Sequence, residues 1–132
     1  MIIVAIDETD FNIASNILDN LDSQKCMVKI GSVSFNSIGQ KIIASAAEKG
    51  FEIFLDLKLH DIPNTVKKSI EGLSSLPIKI LTIHTSGGKN MMEAAMEGVS
   101  SSDIKVFGVT ALTSLSDFDT NEIYRRSTSE QV

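Results

Sequence analysis

Apolar runs recur at an almost constant interval along the 132 residues. They begin near residues 2, 26, 51, 78 and 104, about 24 to 27 residues apart, and helix-period stripes lie between them. An interval of this length is one strand plus one helix. Its repetition predicts an α/β chain with a parallel sheet, because each crossover is long enough to return the chain in the same direction. Two architectures satisfy the pattern: an open doubly wound sheet and a closed (β/α)8 barrel.

The units can be placed in order. Residues 2–7, IIVAID, read as a buried strand ending at Asp7, and Thr9 or Asp10 is a credible N-cap for the helix that follows. That helix has Ile13, Ala14, Ile17, Leu18 and Leu21 on one face. Residues 26–30, CMVKI, form a second strand with Lys29 near its end. One helix is then expected, with Phe35, Ile38, Ile42, Ile43, Ala46 and Ala47 inward and Gly50 as its stop. The third strand spans 51–58, and its helix spans 63–73 with Val66, Ile70 and Leu73 inward. The fourth strand, 78–84, leads into a Thr-Ser-Gly-Gly turn and a helix carrying Met91, Met92, Ala95, Met96 and Val99, a stripe better suited to core filling than to binding. The fifth, 104–110, is followed by an acidic helical stretch from about Ser116.

The most informative stretch is 51–65, FEIFLDLKLHDIPNT. Side chains of a strand alternate, so Ile53, Leu55 and Leu57 share one face while Phe54, Asp56 and Lys58 share the other. Asp61 follows just before Pro63, a residue suited to the first position of a helix. Burying a charge costs several kcal/mol unless it is paired, so an Asp-x-Lys-x-x-Asp array closing an apolar strand is a candidate site. Its plain alternative is an edge-strand ion pair followed by a helix cap at Asp61.

Asp7, Lys29, Asp56, Lys58, His84 and Thr110 fall at or near the C-terminal ends of five different strands. Polar ends spread over every strand suit a barrel mouth better than the single switch point of an open sheet, and no glycine-rich dinucleotide loop follows the first strand. The expected fold is therefore a TIM (β/α)8 barrel. Residues 1–132 would form a single domain holding about the first five units, with the C-terminal units missing.

Composition excludes several functions. Hydrophobic residues make up 42% and charged residues 22%, with a net charge of −5 and no Trp, which argues against a nucleic-acid surface. No apolar run approaches the ~20 residues of a membrane span, and MIIVAIDETD reads as a strand and not a signal peptide. Cys26, the only cysteine, reads as a small core residue compatible with a reducing cytoplasm. Two histidines with one cysteine make no metal-ligand cluster of the usual kind. His84, ending a buried strand, reads as a hydrogen-bonded structural histidine, and Ser86-Gly87-Gly88 as a plain turn.

With Asp7, VKIG around Lys29, DLKLHDIPNT at 56–65, IHTSGG around His84 and VTALTS at 109–114 in view, the sequence resembles the orotidine 5′-phosphate decarboxylase family over its whole length. The resemblance implies decarboxylation of orotidine 5′-phosphate to UMP in pyrimidine biosynthesis, without metal or organic cofactor. It makes Lys58 the proton donor and sets Asp56 beside the departing carboxylate. Lys29 and Asp7 would complete the charge network and bind the ribose, and Thr113 and Ser114 would touch the base or its carboxylate. It also implies a homodimer in which Asp61, Ile62 and Thr65 reach into the neighbouring subunit's site. The phosphate-gripping Arg and Gln of the family belong to later strands.

Two other readings stand beside this one. Sister barrels of the hexulose-phosphate synthase or ketogulonate-phosphate decarboxylase type share the Asp-x-Lys-x-x-Asp core and use magnesium. Alternatively, the chain is a catalytically inactive binding or assembly module.

Overall fold

A computed structural model describes residues 2–132. Its five strands are β1 (Ile2–Ile6), β2 (Cys26–Gly31), β3 (Ile53–Leu59), β4 (Ile80–His84) and β5 (Lys105–Val109). They form one parallel sheet in the order β1-β2-β3-β4-β5. That order decides between the two architectures. A doubly wound sheet reverses direction at a switch point, whereas here each strand adds beside its predecessor. Right-handed crossovers that always step the same way place every crossover helix on one face. The result is an arc of a barrel wall.

The helices are α1 (Phe11–Asp19), α2 (Ser32–Ile38), α3 (Lys41–Glu48), α4 (Pro63–Leu73), α5 (Lys89–Gly98), α6 (Asp117–Tyr124) and α7 (Thr128–Gln131). Asp10 caps α1, accepting from the backbone N–H of Asn12 and Ile13 at 2.8 and 3.0 Å. Pro63 opens α4 at its first turn, and Ser116 caps α6 in a reciprocal capping box with Asp119. No described helix is long and apolar enough to cross a membrane.

The strand register sorts the side chains into two layers. Ile30, Leu55, Leu81 and Val106 are aligned across β2–β5, and the first three are fully buried under the helices. Lys29, Phe54, Ile80 and Lys105 form the next row and face the concave side. The outer face is therefore an apolar core, while the concave face carries the charges.

Several expectations need correction. The single helix expected between Gly31 and Gly50 is two, because Gly39 takes φ +75° and ends α2 with its N–H on Phe35 O. Ile13 and Met96, assigned to inward stripes, are 52% and 56% exposed, since each lies at the margin of its helical face. β3 and β4 begin two residues later than expected, at Ile53 and Ile80. Cys26 is only half-buried, packed at the edge of the core. The helix α7 had no counterpart in the sequence reading.

α4 and α5 pack closely because Gly98 has no side chain. A Cβ there would stand 3.0 Å from Ile70 Cβ and from the backbone oxygen of Lys67. A Gly98→Ala substitution gains helix propensity of about 1 kcal/mol, yet overpacking of this kind costs about 1–3 kcal/mol. Urea unfolding is expected to show net destabilisation; a more stable variant would mean that the two helices separate freely.

Candidate active site

The end of β3 departs from regular strand geometry. Leu55 is aligned with Leu81 and Leu59 with Ile83, so β3 spends four residue steps where β4 spends two. The surplus is a bulge over Asp56, Leu57 and Lys58, all facing the single residue Thr82. Lys58 takes φ +49°, a region that costs a non-glycine residue roughly 1–2 kcal/mol. Such strain persists only where the surroundings hold it, and it concentrates at functional positions.

The charges meet at this bulge. Lys58 Nζ donates to both oxygens of Asp56, at 2.9 and 2.8 Å. Lys29 Nζ, from β2, lies 3.5 Å from Asp56 Oδ2. Thr82 donates its hydroxyl to Asp56 Oδ1 at 2.9 Å and accepts the backbone N–H of Lys58 at 2.9 Å. Asp56 is only 8% exposed. Burial alone would raise its carboxyl pKa. Hydrogen bonds from Lys58 and Thr82, with the charges of Lys58 and Lys29, outweigh that effect and hold the group below the usual carboxylate range. Asp56 is thus a fixed anion between two ammonium groups.

These groups line an open cavity of about 510 Å³, walled also by Phe54, Phe107 and the segment Ala111–Ser114. The Phe54 and Phe107 rings tilt against each other with centroids 6.4 Å apart. The cavity thus offers an ammonium pair and a carboxylate beside an aromatic wall and hydroxyls from Thr113 and Ser114. That combination suits a planar polar ligand bearing negative charge.

Of the residues expected in the site, Lys29, Asp56, Lys58, Thr113 and Ser114 share this cavity. Asp7 does not line it: it is exposed just past the end of β1, and its Oδ1 would be 3.2 Å from a Cβ placed at Gly31, the residue aligned with Asp56. It forms no ion pair with either lysine among the described residues. Asp61, Ile62 and Thr65 lie elsewhere in this chain. Asp61 accepts the N–H of Ile62 at 2.7 Å, so it steadies the loop before α4, whose N-cap is Ile62. Asp61 and Ile62 border a separate depression with His60, Pro63, Ser86 and Gly87. Thr65 is exposed on the first turn of α4, and Ile62 is 67% exposed.

His84 differs from expectation. Its ring rests on that of His60, centroids 5.3 Å apart, and no hydrogen bond to it forms among the described residues. Burial, together with His60 and the Lys58 charge, lowers its pKa and so favours the neutral imidazole. The Ser86–Gly88 segment belongs to a single 3-10 turn, Thr85–Gly87, which leads through Gly88 into α5. Among the described residues no group of three His, Cys, Asp or Glu side chains is placed to hold a metal ion. Thr82 is the residue sequence reasoning missed, because a threonine inside an apolar strand signals only β-propensity.

Fold and site together define a class: a parallel (β/α) barrel-type chain with a carboxylate–ammonium network at the C-terminal ends of its strands. The comparisons make the family specific. The sequence model of the Orotidine 5′-phosphate decarboxylase / HUMPS family matches residues 1–132, and the chain belongs to that family. It is 48% identical over 122 residues to the orotidine 5′-phosphate decarboxylase of Ehrlichia chaffeensis, covering 92% of this chain and 53% of that one. It is 40% identical over 132 residues to the enzyme of the same name from Idiomarina loihiensis, covering 98% and 57%. The crystal structure of orotidine 5′-phosphate decarboxylase from Lactobacillus acidophilus superposes with a TM-score of 0.89 at 36% identity, over 99% of this chain and 62% of that one. The five-stranded arc therefore matches part of a TIM-barrel structure, and the chain spans about half the length of the curated relatives it matches.

The depressed Asp56 carboxyl gives a pH dependence of known sign. A folded-state pKa below the ordinary 3.8 contributes stability that is complete above that value and lost as the pH falls through the lower folded value. Urea unfolding of wild type and Asp56→Asn is expected to show a stability gap near neutral pH that closes below about pH 3.8. A gap independent of pH would mean that Asp56 is not held as a paired anion.

Proposed function

We propose that the chain carries the catalytic network of an orotidine 5′-phosphate decarboxylase, converting orotidine 5′-phosphate to UMP and carbon dioxide. The observation that carries this reading is the Lys58 ammonium locked against the buried Asp56 carboxylate at the cavity wall. Breaking the bond between the pyrimidine ring and its carboxylate leaves an electron pair on a ring carbon with no neighbouring group to delocalise it. A positioned ammonium stabilises that charge without reorganising, then gives the carbon its proton. Carbon dioxide departs, UMP holds the new C–H bond, and Lys58 regains a proton from water. No metal or organic cofactor takes part.

The other residues divide the remaining work. Asp56 orients Lys58 and stands beside the departing carboxylate, where like-charge repulsion is relieved as carbon dioxide leaves. Lys29 at the cavity wall and Asp7 at the end of β1 bind ribose hydroxyls, and Thr113 and Ser114 contact the base or its carboxylate. Asp61, Ile62 and Thr65, which lie outside the cavity of their own chain, complete the site of a second subunit in a homodimer. Their separation from Lys58 and the exposure of Ile62 support that assignment. Binding of the remote phosphate, by the loops after the seventh and eighth strands of a full barrel, supplies energy to hold the charged groups together.

The test is the loss of orotidine 5′-phosphate absorbance with wild type and Lys58→Ala. Turnover insensitive to chelator, and lower by at least about 10³-fold in the variant, is expected from combined loss of the proton donor and its charge. Near-native activity in Lys58→Ala would overturn the mechanism. Magnesium-dependent turnover of a sugar phosphate, abolished by chelator, would replace it with the sister-barrel reading.

A further inference from the structure

Thr82 occupies the middle of β4, 3% exposed, and its one hydroxyl does two things at once. The O–H donates to Asp56 Oδ1, and the oxygen accepts the backbone N–H of Lys58, both at 2.9 Å. The bulge in β3 makes the second bond necessary. With four residue steps set against two, the Lys58 N–H has no aligned backbone carbonyl on β4, and the Thr82 hydroxyl stands in the ladder's place. The first bond fixes the carboxylate that Lys58 Nζ grips through both oxygens. Thr82 therefore restrains Lys58 at both ends: at its backbone directly, and at its ammonium through Asp56.

We infer that Thr82 is a positioning residue for the decarboxylation proposed above, a clamp that holds the left-handed backbone of Lys58 and the carboxylate of Asp56 in one fixed geometry toward the cavity. The role is not proton transfer to substrate. The hydroxyl proton is committed to Asp56, and an oxygen lone pair to Lys58. A hydroxyl is the smallest side-chain group able to donate and accept together, so serine can replace it, whereas valine, of nearly the same shape, can do neither.

The inference rests on the proposed reaction, but the clamp is a property of the free protein, and two readouts separate them. The first needs no substrate: carbon-13 NMR titration of the Asp56 carboxyl in wild type, Thr82→Val and Thr82→Ser. Losing a donor to the anion moves the Asp56 titration up in Thr82→Val and leaves it near wild type in Thr82→Ser. The second is steady-state turnover of orotidine 5′-phosphate. In Thr82→Val, kcat is expected to fall about 10- to 100-fold, the scale of a slightly misplaced reacting group, with KM within about threefold. Thr82→Ser recovers most of that loss. Should Thr82→Val not fold, Thr82→Ala carries the same expectations. An unmoved Asp56 titration in the folded variant overturns the clamp. A moved titration with unchanged kcat overturns the positioning role. A wild type whose Asp56 titrates as described but that never turns over orotidine 5′-phosphate overturns the proposed reaction, and the positioning role with it, while leaving the clamp intact.

Discussion

A single carboxylate organises the concave face of this protein. Asp56 is nearly buried, and a buried anion survives only with several partners. It has them from three adjacent strands: Lys29 on β2, Lys58 on its own strand and Thr82 on β4. Asp56, and not the partly exposed lysines, is the member that is costly to leave alone at this depth. The network is stable as a unit and expensive to dismantle piecemeal, which is the property a preorganised electrostatic site requires.

The fold supplies that geometry through ordinary means. Consecutive parallel strands bring the ends of β2, β3 and β4 side by side, while the opposite face of the same strands is anchored by fully buried Ile30, Leu55 and Leu81. The apolar layer determines where each backbone lies, and the alternation of the strand then aims Lys29 and Asp56 inward. One local irregularity completes the arrangement. The bulge at the end of β3 places Lys58 in a conformation that strand pairing alone would not hold, and Thr82 accepts the N–H that pairing leaves over.

What was legible in the sequence follows the range of the forces involved. Hydrophobic period and strand spacing are local, so the βα order, a cap at Thr9 or Asp10 (the structure uses Asp10), Pro63 at the head of α4 and the Ser116 boundary could all be read directly. Asp56 and Lys58 stood out because alternation puts residues two apart on one face. The break at Gly39 was visible only as a glycine, which helices tolerate; its positive φ is a tertiary choice. Ile13 and Met96 satisfy a helical period but lie where no neighbour covers them. The Thr82–Asp56 bond joins residues 26 apart, and nothing in ILTIH announces it. Asp7 was placed at the end of β1, yet sharing an end of the sheet does not bring it among the residues that line the cavity with Lys58.

The most direct test of this organisation is a double-mutant cycle on unfolding free energy across Asp56→Ala, Lys58→Ala and the double variant. Residues coupled in one network show interaction energies of about 0.5–3 kcal/mol, whereas independent sites add. A favourable coupling in that range is the predicted result. Additivity within error would contradict it, because a lysine energetically independent of Asp56 cannot be held by it.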